Sequence, residues 1–546
     1  MEEEAFLDNP LPLLEAASEF ASYPGTASDA AVTDFLLRYP LPQIIFALQT
    51  KGHVTGLEKA IVSCLRKIFH SKYGASQISR YMQFVHEGLK ANSQQIRLLA
   101  CETVIRFLEN ADGNEESVTE LIVKQNIYPL LLDCLTNSDE QVASLSVEAI
   151  IRIARLPDGT GIIFSNTSEE THLSNLVQGC SSLGRVRVLG LMVKLFSISP
   201  TLASAVHGSN LISLLEAEIQ NSEDTLVKLN ILELFYELTE AVHGTEFLSR
   251  DSLMSLFSSM ISDTSVELIL RSRCVMIIGR LLSNENILSH ININNVLSAI
   301  AIIDRFIDLE EQESSEIDFA IGALGQIGST FEGGNMLLSV KPTPARHVTT
   351  AAFSQNRNLQ LVGLNALGNI CGEMRSESKL MLEADAEESL KRLIYEAAIK
   401  TSKLTPSVSI FIFNQQLFFV ISRNYNFCHF KGLFLSALQR DSEVRLAAYA
   451  LLKNIAFRPW CLMEICSKHD IIDSLTNSSI ESTKSGMEGR HSCCVAINRA
   501  LNSSALASNP SVAKVSAKME EAVRRGPYLA ANLRVAQPIL ETAERV

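Results

Sequence analysis

Apolar residues recur along this chain at intervals of three and four, and one thirteen-residue phrase carries that rhythm in eight copies. It runs IRLLACETVIRFL from Ile96, VASLSVEAIIRIA from Val142, VRVLGLMVKLFSI from Val186 and LVKLNILELFYEL from Leu226. It continues as LRSRCVMIIGRLL from Leu270, IDFAIGALGQIGS from Ile317, LQLVGLNALGNIC from Leu359 and VRLAAYALLKNIA from Val444. Offsets 0, 4, 8 and 11 of the phrase are mostly apolar, which places them on one face of an α-helix. Offset 4 is Ala100, Ser146, Gly190, Cys274, Gly363 and Ala448 in six copies, small residues that let neighbouring helices approach closely. Successive starts lie 46, 44, 40, 44, 47, 42 and 85 residues apart, a period that signals repeats of two or three helices. The expected fold is therefore all-α, an armadillo/HEAT-type α–α superhelix forming a right-handed solenoid. Residues 1–80 are expected to be a helical cap or degenerate repeats, 81–480 the solenoid, and 481–546 capping helices and a tail with a polar outer face.

Punctuation between the phrases is regular. Asn92-Ser93, Asn137-Ser138-Asp139, Asn221-Ser222-Glu223-Asp224, Ser262-Asp263 and Asp441-Ser442 precede phrases and supply candidate N-cap oxygens. Gly113, Gly159 and Gly244 follow phrases, where a positive φ would turn the chain into the next repeat. One segment breaks the rhythm. Residues 407–431, SVSIFIFNQQLFFVISRNYNFCHFK, hold six of the 24 Phe and show no helical period. Thr405-Pro406 would join smoothly to Gly432-Leu433, so the segment is hypothesised to be an isoform-specific insertion or a translated intron. Transcripts carrying it in most copies would sink that idea.

The phrase resembles the third helix of an armadillo repeat, whose pattern is an apolar start, a small residue at offset 4, an aromatic at offset 6, Leu at offset 8 and Asn at offset 10; Leu359–Cys371 and Val444–Ala456 match best. In armadillo stacks the offset-10 row lines the concave groove. Here the row reads Arg106, Arg152, Phe196, Tyr236, Arg280, Ile327, Asn369 and Asn454. The resemblance implies that Arg106, Arg152, Tyr236, Arg280, Asn369 and Asn454 grip a partner's backbone or carboxylates, against the plainer alternative of a solvated face or internal pairing. Importin-α-like carriers place Trp at offset 6. This chain has Glu102, Glu148, Met192, Leu232, Met276, Ala323, Asn365 and Ala450 there, which disfavours a carrier of nuclear-localisation signals.

Charge and chemistry narrow the function further. A formal net charge of −14 argues against nucleic acid or an anionic membrane as partner, since both need a basic stripe. MEEEAFLDNP at the start lacks the basic and apolar regions of a signal peptide, so a cytosolic or nuclear location is expected. Eleven scattered Cys, mostly in apolar runs, predict free thiols. Gly322, Gly325 and Gly328 sit inside a helical phrase and read as packing residues rather than a phosphate loop. Cys461, Cys466, His469, His491, Cys493 and Cys494 match no usual zinc spacing, so no metal or other cofactor is expected. No catalytic set stands out, and a non-enzymatic protein is expected.

The overall layout resembles the proteasome non-ATPase regulatory subunit 5 family, chaperones of 26S proteasome assembly. The resemblance rests on an acidic helical start, repeats throughout, and an end region running Gly486-Met487-Glu488-Gly489-Arg490-His491, then Cys494-Val495-Ala496-Ile497 and Gly526-Pro527-Tyr528. It implies a cytosolic protein, monomeric when free, that clasps the C-terminal domain of a proteasomal AAA-type ATPase subunit of the base. It also implies that the base is kept from docking prematurely on the core particle. A generic armadillo adaptor in transport or ubiquitin signalling is the alternative.

Overall fold

The computed structural model describes residues 10–51, 54–110, 115–164, 173–241, 248, 251–309, 315–401, 434–503 and 510–528. Gly113, Gly244 and the Phe-rich segment 407–431 lie outside the described residues. Every regular element among the described residues is a helix, so the fold is all-α and HEAT/armadillo-like. The chain divides into two compact units, Met1–Phe247 and Leu248–Val546.

In the first unit a ladder of helices packs rung on rung: α1 (Leu57–Phe69), α2 (Gln94–Glu109), α3 (Glu140–Ala154), α4 (Ser182–Phe196) and α5 (Thr225–Leu238). The second unit repeats the scheme with α6 (Leu268–Leu282), α7 (Ser315–Ile327), α8 (Arg357–Ile370), α9 (Ser442–Ile455) and α10 (Lys484–Ser503). Shorter helices back the rungs, among them Ile127–Asn137 on α3, Leu211–Asn221 on α5 and Ala345–Ala352 on α8. The eight phrases fall in α2 to α9, and α1 and α10 add a rung at either end.

Burial tests the phrase register directly. Offsets 4, 8 and 11 are buried in α2, α3 and α6 to α9, as the apolar rhythm requires. Two rungs slip. In α5 the set Val227, Ile231, Phe235 and Leu238 is buried, one residue later than the phrase, and Leu226 is 60% exposed. In α4 the set Gly184, Val188, Met192 and Leu195 is buried, two residues earlier than the phrase. Both helices are apolar nearly all round, so periodicity alone does not choose a face.

Local chemistry starts the rungs. Asp139 caps α3 by accepting from Val142 N at 2.9 Å, Asp224 caps α5 through Leu226 N and Val227 N, and Asp441 caps α9 through Glu443 N and Val444 N. Ser93 stands at the start of α2 without a side-chain cap, and Asp263 closes a turn on Ser265 instead of capping α6. Gly159 is no positive-φ turn; it opens the helix Gly159–Phe164 and lies so close to Ile153 that a Cβ would meet that carbonyl oxygen at 2.1 Å. The left-handed non-glycine residues among the described residues of the first unit are Asn126 and Asn210, each directly before a helix, at φ 52° and 59°, beside Gly25 and Gly56 at 82° and 83°. Asn tolerates that region because its short amide bonds locally.

Small residues at offset 4 have the expected role at Gly363, where a Cβ would sit 2.2 Å from Ala352 N on the backing helix. Gly325 and Gly328 similarly face Ala366 and Ile370 of α8 at 2.6 and 2.3 Å. Gly322 meets nothing within 4 Å.

Candidate protein-binding face

The six offset-10 residues fall in both units, Arg106, Arg152 and Tyr236 in the first and Arg280, Asn369 and Asn454 in the second. Asn454 does not reach a partner: it is 5% exposed and its amide donates to the Ala450 carbonyl at 2.8 Å within its own helix. Phe196 is likewise buried, at 1%, because α4 is rotated relative to the phrase. Tyr236, Arg280 and Asn369 are half-exposed. Asn369 also offers its backbone carbonyl to Arg375 Nη2 at 3.3 Å.

Arg106 and Arg152 come together around one carboxylate. Arg106 Nη1 lies 2.6 Å from Glu109 Oε2, and Arg152 Nη2 lies 2.9 Å from Glu109 Oε1 and 2.8 Å from Glu148 Oε1. One rung earlier a separate pair links α1 to α2, Arg66 Nε to Glu102 Oε2 at 2.6 Å. These side chains are about one third exposed, so they meet both solvent and one another.

With α4 set by its buried positions, its offset-10 residue is Lys194, exposed and without an ion-pair partner among the described residues. In α1, where Leu57, Ile61, Leu65 and Ile68 are fully buried, the same position is Lys67. Lys67 donates to the carbonyls of Tyr23 and Ala21, and its Nζ stands 5.7 Å from the Tyr23 ring centroid. Four successive rungs thus carry Lys67, Arg106, Arg152 and Lys194 at one angular position, and Glu237 takes that place on α5. Sequence reading missed the two lysines because one rung was out of register and the other had no phrase assigned. The run LEKAIVSCLRKIF from Leu57 fits the phrase and would have revealed Lys67.

Elsewhere the chemistry is that of a packed interior. Cys461, Cys466, Cys493 and Cys494 are buried, and burial pushes the Cys466 and Cys494 thiols up to about 11. Cys494 Sγ donates to the Leu475 carbonyl at 3.3 Å. Burial and the Arg490 charge depress His491. The ten described cysteines are free. The one group of metal-type donors gathered among the described residues is Asp304, Asp308 and His347. Arg346 already bridges its two carboxylates, reaching Asp304 at 2.6 Å and Asp308 at 2.8 Å. No described helix is long and apolar enough to cross a membrane.

The family model described as proteasome non-ATPase 26S subunit matches residues 46–371, from before α1 to the end of α8. Among solved structures, the chain is similar to an engineered protein at 14% identity, covering 89% of this chain and 98% of that one with a TM-score of 0.41. It is similar to Kap121p in complex with Nup53p at 14% identity, 94% of this chain, 49% of that chain and TM-score 0.43. Kap121p bound to the extreme C-terminus of the phosphatase Cdc14p gives 16% identity, 95% and 53% coverage and TM-score 0.47. The chain spans about half the length of those karyopherin chains. No curated protein matches.

Proposed function

The chain belongs to the proteasome non-ATPase 26S subunit family, and from that membership we propose that it is a non-catalytic chaperone for assembly of the regulatory-particle base. In this reading it binds the C-terminal domain of a proteasomal ATPase subunit and blocks premature docking on the core particle. The observation that carries it is the family match, which spans α1 to α8 and takes in both the charged row and the rungs that hold it.

The physical demand is modest. A ladder of rungs presents side chains from one angular position at regular spacing, so a partner is recognised over several helices without a deep pocket. The half-exposed arginines of α2 and α3 make charge-assisted contacts to carboxylates, the chemistry used for protein acids. Any nucleotide sits on the ATPase partner. The protein works in the cytoplasm and also the nucleus, as a monomer until it meets that partner.

Mass spectrometry of proteins that co-purify with the tagged chain from cytosol tests this. Proteasomal ATPase subunits without core-particle subunits are expected. Recovery of unrelated cargo or receptors with no ATPase subunit would leave a generic adaptor and end the assembly reading.

A further inference from the structure

We propose that the row Lys67, Arg106, Arg152 and Lys194 is a binding site for an acidic protein segment, and that Glu109 and Glu148 stand in for that segment's carboxylates in the free chain. The proposal rests on the reading of this protein as a protein-binding scaffold and adds the partner's chemistry to it.

The first ground is position. Four cations occupy one angular place on four consecutively packed helices, in a chain whose formal net charge is −14. On α5 the place passes to Glu237, which ends the row and fixes its length at four rungs. Packed helices stand roughly 8–10 Å apart. A polyproline II segment rises about 3.1 Å per residue and turns once in three residues, so every third side chain faces the same way and the row fits a segment with an acidic side chain at about every third position.

The second ground is the carboxylate already there. Glu109 is held by two guanidiniums from different helices, at 2.6 and 2.9 Å, one on each of its oxygens. Two guanidiniums thus converge on one carboxylate, each with a single charged contact, and leave a place shaped for a protein acid. Glu109 is at the last turn of α2, and its side chain is 33% exposed, so it can leave the site without unfolding the helix. Exposed ion pairs contribute little net stability, which makes the exchange of Glu109 for an incoming acid nearly neutral in the free chain. Among the described residues Lys194 has no counter-charge to displace.

Fluorescence anisotropy tests this on the full chain. The probe is a labelled peptide of about twelve residues with Glu at every third position, a length set by the rung spacing, and its control carries Lys at those positions. The acidic peptide should bind at low salt in preference to the basic one, and weaken as salt rises. Glu109→Gln should tighten binding about 2- to 5-fold, the scale of one exposed ion pair. In an Arg106→Gln/Arg152→Gln background Glu109→Gln should have no effect. Equal binding of both peptides, or no change on Glu109→Gln alone, overturns the proposal. Circular dichroism confirms that each variant is folded, and Lys194→Gln, at an exposed position without an ion-pair partner among the described residues, should weaken acidic-peptide binding where folding is not at stake. No proteasome subunit enters this assay. Acidic-peptide binding with no capture of an ATPase subunit would therefore uphold the site while sinking the assembly reading.

Discussion

Arg458 and Glu387 form a two-bond ion pair, Nε to Oε2 at 2.8 Å and Nη2 to Oε1 at 2.9 Å, with the arginine side chain wholly out of solvent. The same guanidinium donates to the carbonyls of Cys371 at 3.2 Å and Asn454 at 3.4 Å. One side chain thereby ties the end of α8, the end of α9 and the helix Ala384–Thr401 into a single block.

Removing one partner of a buried pair strands the other charge, which costs about 3–5 kcal/mol. Glu387→Gln is therefore expected to destabilise the second unit by that order. Arg458→Met/Glu387→Leu, which removes both charges, should lose less than the single change. Urea unfolding followed by helical circular dichroism checks this. A single variant that loses under about 1 kcal/mol, the worth of an exposed pair, would mean the bridge is not holding the block.

Gly363 and Gly322 make opposite predictions from the same residue type. A methyl at Gly363 would strike the backbone of Ala351 and Ala352, so Gly363→Ala must push the helix Ala345–Ala352 away from α8. Overpacking of this kind costs typically 1–3 kcal/mol. A methyl at Gly322 meets nothing within 4 Å, so Gly322→Ala should stabilise α7 by up to about 1 kcal/mol through helix propensity. Melting temperatures of the two variants should move in opposite directions from the parent.

Acid should weaken the second unit through His347. Burial and the neighbouring Arg346 hold its pKa below the ordinary value, while Asp304 and Asp308 oppose them. A histidine depressed in the folded state stabilises fully above the unfolded value of about 6.5, and that stability is lost as pH falls toward the folded value. The difference in melting temperature between pH 7.5 and 5.5 should shrink in His347→Asn relative to the parent. An undiminished difference would assign the acid sensitivity to other groups.

The rungs were legible in sequence and the face they present was not fully so, for a physical reason. Phrases such as Val142–Ala154 set apolar residues against Glu148 and Arg152, so only one face can be buried and the register is unambiguous. In Val186–Ile198 and Leu226–Leu238 apolar residues surround the helix, and the buried face is chosen by packing against neighbouring rungs, which a single phrase does not contain. That is how Phe196 took a place that belongs to Lys194. Asn454 failed for a different reason. Its position was right, but α9 ends beside Arg458, and Asn454 is enclosed there with its carbonyl bonded to that guanidinium. Arg106 and Glu109 are an i,i+3 pair within α2, but the approach of Arg152 to the same Glu109 was out of reach, since it depends on how α2 and α3 cross.

Lys194 offers the cleanest separation of binding from folding. Arg106→Glu with Arg152→Glu should weaken partner binding, but it also breaks the contacts to Glu109 and Glu148 and sets like charges together. Any change in its melting then mixes with the change in affinity. Lys194→Glu breaks no ion pair among the described residues, and the side chain lies on the exposed face of α4. Its stability should stay within about 0.5 kcal/mol of the parent, as for most surface substitutions away from special features. Affinity for a purified proteasomal ATPase C-terminal domain should nonetheless fall several-fold at low salt and recover toward parity at high salt, where exposed charges are screened. Unchanged affinity at low salt, with the parent binding normally, would move the partner off this face of the first unit.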